Sequence, residues 1–134
     1  MSSIDWQRLM QMAKQAYENA YAPYSNFKVG AAAIDDEDNR FCGCNVENAS
    51  YGLTVCAERN CFAQLIVNGA TTAKALVVYT EQEKLTPPCG ACRQVIVEFM
   101  APDAQVKAMN HLAQEKTWSV KELLPDAFTP KDLT

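Results

Sequence analysis

Strands and helices alternate along this sequence, and the alternation predicts an α/β layered domain. Three stretches carry that prediction. Residues 4–20 place apolar side chains at helical spacing; FKVGAAAID and RFCGCNVEN flank the turn DEDN as a hairpin; and the short apolar run AKALVVY lies between two further helical segments. At 134 residues there is room for one core, so residues 1–134 are expected to form a single domain.

In the first helix Trp6, Leu9, Met10, Ala13, Ala16, Tyr17 and Ala20 recur on one face, Ser3 can cap the start, and Pro23 prevents continuation. YAPYSNF is a loop by composition, the hairpin follows, and NASYGL is loop again. Thr54 is a good cap for a helix from about Val55 to Asn68. Phe62, Leu65, Ile66 and Gly69 fall on one side of it, and Gly69 ends it. AKALVVY is expected to lie centrally in the sheet. Pro87 and Pro88 then set the entry to a helix in PPCGACRQVIVEFM, with Cys92, Ile96 and Phe99 inward. AQVKAM reads as the last strand and SVKELLP as a short closing helix.

Composition narrows the function classes. Hydrophobic residues at 49% and charged residues at 21% are those of a globular protein. A net charge of −4 with no basic segment argues against a nucleic-acid partner. No apolar run approaches a membrane span, and MSSIDWQRLM carries an acid and lacks an apolar core. Neither signal peptide nor transmembrane segment is expected, and the default compartment is cytoplasm. In a reducing compartment six cysteines point to metal binding or catalysis rather than to disulfides.

PPCGACRQ holds Cys89 and Cys92 three apart, a spacing shared by redox couples, structural zinc knots and catalytic metal sites. Cys56 sits in the first turn of another helix. Side chains tilt toward a helix N-terminus, so three sulfurs can meet just ahead of two converging helix ends, where dipoles and free amides favour thiolates. Three protein ligands leave a fourth tetrahedral position open, which distinguishes a catalytic zinc from a closed one. Cys61 lies five residues beyond Cys56 and points elsewhere on the helix. Cys42 and Cys44 would share one strand face. All three read as small buried hydrophobes.

Glu58 decides between the alternatives. Alone it would be a favourable charge in a first helical turn. Two residues from a metal ligand, it is a candidate general base, able to take a proton from a water at the open position and return it later. Cys-Ala-Glu at 56–58 with Pro-Cys-x-x-Cys at 88–92 is the signature of zinc deaminases.

The stretches NVENASYGLTVCAERNC, TPPCGACRQVIVEF and ELLPDAFTPKDL resemble those of the small cytidine deaminases that act on free nucleosides, the homotetrameric branch. The resemblance extends from YAPYSNFKVGAA to the C-terminus. It implies a mixed five-stranded sheet between helices, a three-layer α/β/α fold, one Zn2+ per subunit and conversion of cytidine or deoxycytidine to the uridine form plus ammonia. It implies Cys56, Cys89 and Cys92 as zinc ligands and Glu58 as proton shuttle. Asn45 and Glu47 would bind the ribose, Phe27 would stack near the base, and the Ala57 amide would contact the pyrimidine. Tyr51 would reach a neighbouring subunit's site, and Phe128 would close a site near the C-terminus. Asn45 and Glu47, two apart, would also share a strand face. Without the motif, Phe27 and Phe128 would be core aromatics and Tyr51 a loop residue.

Charge gives a separate reading of two arginines. Three thiolates with one Zn2+ sum to −1, and Glu58 adds another. Arg59, one turn beyond Cys56, and Arg93, next to Cys92, can each donate to a ligand sulfur and draw charge from it. His111, the only histidine, falls in a polar turn and is expected to be exposed and idle. Two rivals remain: a non-catalytic zinc module using Cys42 or Cys44 as fourth ligand, and a related deaminase with another substrate, such as a nucleoside antibiotic or a tRNA base.

Overall fold

A computed structural model describes residues 3–134. In chain order its elements are α1 (Trp6–Glu18), β1 (Gly30–Asp35), β2 (Arg40–Cys44), α2 (Ala57–Val67), β3 (Ala73–Thr80), α3 (Gly90–Phe99), β4 (Met100–Asn110), β5 (Glu115–Ser119) and α4 (Val120–Leu123). The strands form one sheet in the order β2-β1-β3-β4-β5. Only β3 and β4 run parallel; the other pairs are antiparallel. The sheet is therefore mixed, with AKALVVY in its centre as expected.

Helices cover both faces. On one, Leu9 and Ala13 of α1 pack against Ala32, Ile34, Ala75, Val77 and Tyr79. On the other, Phe62, Leu65, Ile96, Val120 and Leu123 pack against Ala31, Ala33, Leu76, Val78 and Val106. Adjacent strand residues point to opposite faces, so β1 and β3, buried almost throughout, are apolar at consecutive positions. Burying each large side chain here contributes about 1.5–3 kcal/mol.

Close approach of helix and sheet is set by two glycines. A Cβ at Gly43 would stand 2.4 Å from the Cys61 amide nitrogen and 2.7 Å from the Ala57 oxygen, so α2 rests directly on β2. A Cβ at Gly30 would stand 1.9 Å from the Ala13 oxygen of α1. These are backbone contacts, which cannot swing aside.

Several boundaries differ from those the sequence predicts. Asp5, not Ser3, caps α1, because its carboxylate accepts the Arg8 amide. Cys56, not Thr54, occupies the cap position of α2; Thr54 instead receives the Asn48 amide on its hydroxyl. Ile66 is exposed, while Phe62 and Leu65 carry the buried face. FKV stays outside β1, where the Asn45 side chain takes the Val29 amide and the Phe27 oxygen in place of a neighbouring strand. AQVKAM is not the last strand: β5 follows it. EKTWS is an edge strand with exposed polar residues and only Trp118 and Ser119 partly covered, so it carries no apolar alternation. Gly69, with φ of 94°, does end α2.

Gly43→Ala should lower stability by about 1–3 kcal/mol, because added volume at a close contact forces backbone shifts. Gly52→Ala, in open space, serves as control. Urea midpoints check this: equal midpoints for the two variants contradict the contact.

Candidate metal centre and cleft

Helices α2 and α3 begin side by side, held farther along by the Phe62 and Phe99 rings, stacked with centroids 5.3 Å apart. Cys56 and Cys89 are the two cap residues, both in extended backbone, and neither sulfur bonds its own helix. Cys92, in the first turn of α3, is fully buried. The three Sγ atoms lie within 4.8 Å of one another, and Cys56 and Cys89 are 3.9 Å apart. Sulfurs about 2.3 Å from a tetrahedral zinc stand ~3.8 Å apart, so the tripod fits that ion.

Its electrostatics call for a cation. A hydrogen bond from Cys92, with the Arg59 guanidinium assisting, pulls the Cys56 thiol down to about 5. The same bond, together with burial, drives Cys92 up. A bound metal would let the three sulfurs bind as thiolates.

Arg59 Nη2 donates to Cys56 Sγ at 3.5 Å and to the Thr54 oxygen at 3.3 Å, as its spacing predicts. Arg93 behaves otherwise. Its Nε donates to the Pro88 oxygen at 2.8 Å and its Nη1 to the Leu123 oxygen at 3.1 Å. The expected contact with a ligand sulfur is absent, because the buried carbonyls behind the helix start lie within its reach and take its donors.

A cleft of about 250 Å³ opens over Cys56 and Cys89, walled also by Phe27, Val29, Asn45, Glu47, Ala57, Glu58, Thr86 and Pro87. Glu58 is 4% exposed. Burial pushes its carboxyl up to about 7, with the Cys56 charge adding to the effect. A carboxyl poised there exchanges protons readily near neutral pH.

Asn45 and Glu47 form the opposite wall. Strand β2 stops at Cys44, yet the chain stays extended, so both side chains turn the same way while Val46 points out. Asn45 Oδ1 accepts from the Val29 amide and its Nδ2 donates to the Phe27 oxygen, both at 2.8 Å. Glu47 accepts the Tyr24 and Ser25 amides at 2.9 and 3.1 Å and also the Ser25 hydroxyl, which holds its pKa low. Each side chain therefore shapes the 24–29 loop first. Asn45 retains one N–H and one lone pair, and Glu47 one acceptor site, for anything in the cleft. Ser25 was not foreseen from the sequence; a serine in a loop gives no periodic signal.

Tyr51 and Phe128 are 81% and 58% exposed and lie outside the cleft walls. Cys61 is buried and gives its thiol to the Phe41 oxygen. Cys42 and Cys44 are only half-buried. Cys42 pairs with Ala32, on the α1 face of the sheet, and Cys44 shares that side. The tripod stands at the ends of helices on the other face, so neither can be a fourth ligand. His111 is exposed in the turn between β4 and β5. Among the described residues no other cluster of three metal-ligating side chains occurs, and no helix is long and apolar enough to cross a membrane.

Residues 3–108 match the family model of the cytidine and deoxycytidylate deaminase zinc-binding region. The chain is 43% identical to a cytidine deaminase of Halalkalibacterium halodurans, covering 97% of this chain and 98% of that one. It is 41% identical to one of Sporosarcina psychrophila, covering 98% and 96%. The crystal structure of cytidine deaminase from Burkholderia pseudomallei superposes with a TM-score of 0.89 at 45% identity, covering 93% of this chain and all of that one.

Cys56→Ala should reduce bound zinc from about one per chain to little or none, whereas Cys44→Ala should leave it unchanged. Metal analysis checks both, and X-ray absorption should count three sulfurs and one lighter neighbour. Four sulfurs would restore the closed structural site.

Proposed function

The chain belongs to the cytidine and deoxycytidylate deaminase family, and from that premise we infer that it hydrolyses cytidine to uridine and ammonia. It is a zinc-dependent hydrolase with a nucleoside substrate. The observation that carries this reading is a buried carboxyl, Glu58, lining the same cleft over which three cysteine sulfurs converge.

Cys56, Cys89 and Cys92 hold the zinc. Bound there, it lowers the pKa of a water enough for that water to act as a nucleophile near neutral pH. Glu58 handles the protons. It passes the first proton of the attacking water to ring nitrogen 3, beside carbon 4, and the second to the amino group, which departs as ammonia. The water oxygen stays on carbon 4 and the first proton stays on nitrogen 3, so the atoms balance as uridine.

The other residues bind and orient. The free acceptor of Glu47 and the free N–H of Asn45 suit sugar hydroxyls, and a grip away from the 2′ position admits deoxycytidine as well. Phe27 forms an aromatic wall for the base, and the Ala57 amide meets the pyrimidine. Arg59 draws charge from the Cys56 sulfur. Tyr51 and Phe128, outside the cleft of their own chain, serve the sites of other copies in a homotetramer. Support comes from exposed apolar residues: Tyr21 and Val46 are paired neighbours, and Tyr51 and Leu53 lie exposed in the short turn that leads to Val55, the other partner of Val46. Residues 1–134 act as one catalytic domain, in the cytoplasm and in pyrimidine salvage.

Cytidine mixed with the purified chain should lose its ultraviolet signature while ammonia appears. Glu58→Gln should cut turnover by about 10²–10⁴-fold or more with zinc retained. Full activity in that variant, or in zinc-free protein, would refute the mechanism. Arg59→Ala should keep its zinc and lose about 10- to 100-fold in turnover, with a shifted pH–rate profile; an unshifted profile contradicts the charge-drawing role.

A further inference from the structure

Cys89 enters the tripod from the dipeptide Pro87–Pro88, which has no backbone N–H to donate. That approach can be fastened only through carbonyl oxygens and packing. Pro88 is fully buried, and the bond to its carbonyl oxygen comes from Arg93 Nε, at 2.8 Å. The Arg93 amide bonds the Cys89 oxygen at 2.9 Å. The other arm of the guanidinium, Nη1, reaches the Leu123 oxygen at 3.1 Å, at the last residue of α4. Carbonyls at a helix end lack helical partners, so the Leu123 oxygen is free to accept this donor. One planar group thus spans the peptide that aims a sulfur and the end of a separate helix. A lysine, with its ammonium on a flexible stem, cannot reproduce that fixed fork.

We propose that Arg93 is a positioning residue for the zinc site: it sets the Cys89 sulfur through the Pro88 carbonyl and ties that setting to α4. This role differs from that of Arg59, which touches a sulfur directly, and it rests on Cys56, Cys89 and Cys92 holding the zinc. A tripod with one leg unfastened loses its ion faster and presents a different ligand field.

Zinc-loaded wild type, Arg93→Ala, Arg93→Lys and Gln94→Ala are compared for the rate of zinc loss to a chelator and for the absorption spectrum of the Co2+-substituted protein. Arg93→Ala is expected to lose zinc about 10- to 100-fold faster and to change the sulfur-to-cobalt bands. Arg93→Lys should fall between it and wild type. Gln94→Ala, which removes only a 2.9 Å bond to the Phe128 oxygen, should match wild type. If Arg93→Ala matches wild type in both readouts, even with a lower melting temperature, the arginine is merely structural and the proposal is overturned. Should Arg93→Ala fail to fold, Arg93→Lys decides: wild-type behaviour in both readouts overturns the proposal equally. Wild type without stoichiometric zinc would instead refute the reading of the tripod itself.

Discussion

Three sulfurs gathered ahead of two helix starts become a concentration of negative charge once they bind a metal as thiolates, and much of the site's arrangement answers that fact. Helix amides and dipoles lower the cost of the thiolates, and the Arg59 guanidinium bonds one of them. A divalent cation completes the compensation. Glu58 sits on the far side of the same balance. Buried beside a thiolate, its carboxyl holds a proton more tightly than an exposed glutamate would.

That gathering depends on how closely backbones can approach. Small residues along β1, with Gly30 and Gly43, let helices settle on both faces of the sheet. Because α2 lies directly on β2, Cys56, Ala57 and Glu58 come beside the segment that carries Asn45 and Glu47. The opposite wall obeys a different logic. Asn45 and Glu47 spend most of their bonding capacity on the 24–29 loop, so the wall is rigid before any ligand arrives. A site held this way needs little reorganisation on binding.

The sheet also sorts the cysteines. Six thiols in one small chain invite a closed four-sulfur site, but alternation along β2 turns Cys42 and Cys44 toward α1. Cys61, inside the core, bonds a carbonyl. Only the three at helix starts share a point in space, so one coordination position is left for chemistry. The two arginines are sorted in a similar way: each follows a ligand closely in sequence, yet one bonds a sulfur and the other braces the chain behind it.

Local patterns were enough for the alternation of elements, the central apolar strand, the placing of Cys56 and Cys89 close to two helix starts, and the pairing of Cys-Ala-Glu with Pro-Cys-x-x-Cys. Each depends on spacing of a few residues, where helix and strand periods act directly. Tertiary contact decided the rest. Strand β5 exists because β4 offers it an edge, not because EKTWS is apolar. Asp5 rather than Ser3 caps α1 because its carboxylate meets the Arg8 amide. Arg93 turned from sulfur to carbonyl because Pro88 and α4, distant in sequence from one another, put two acceptors within its reach. Residue type and spacing limit what a side chain can do, but which partner it meets is settled only when remote segments pack.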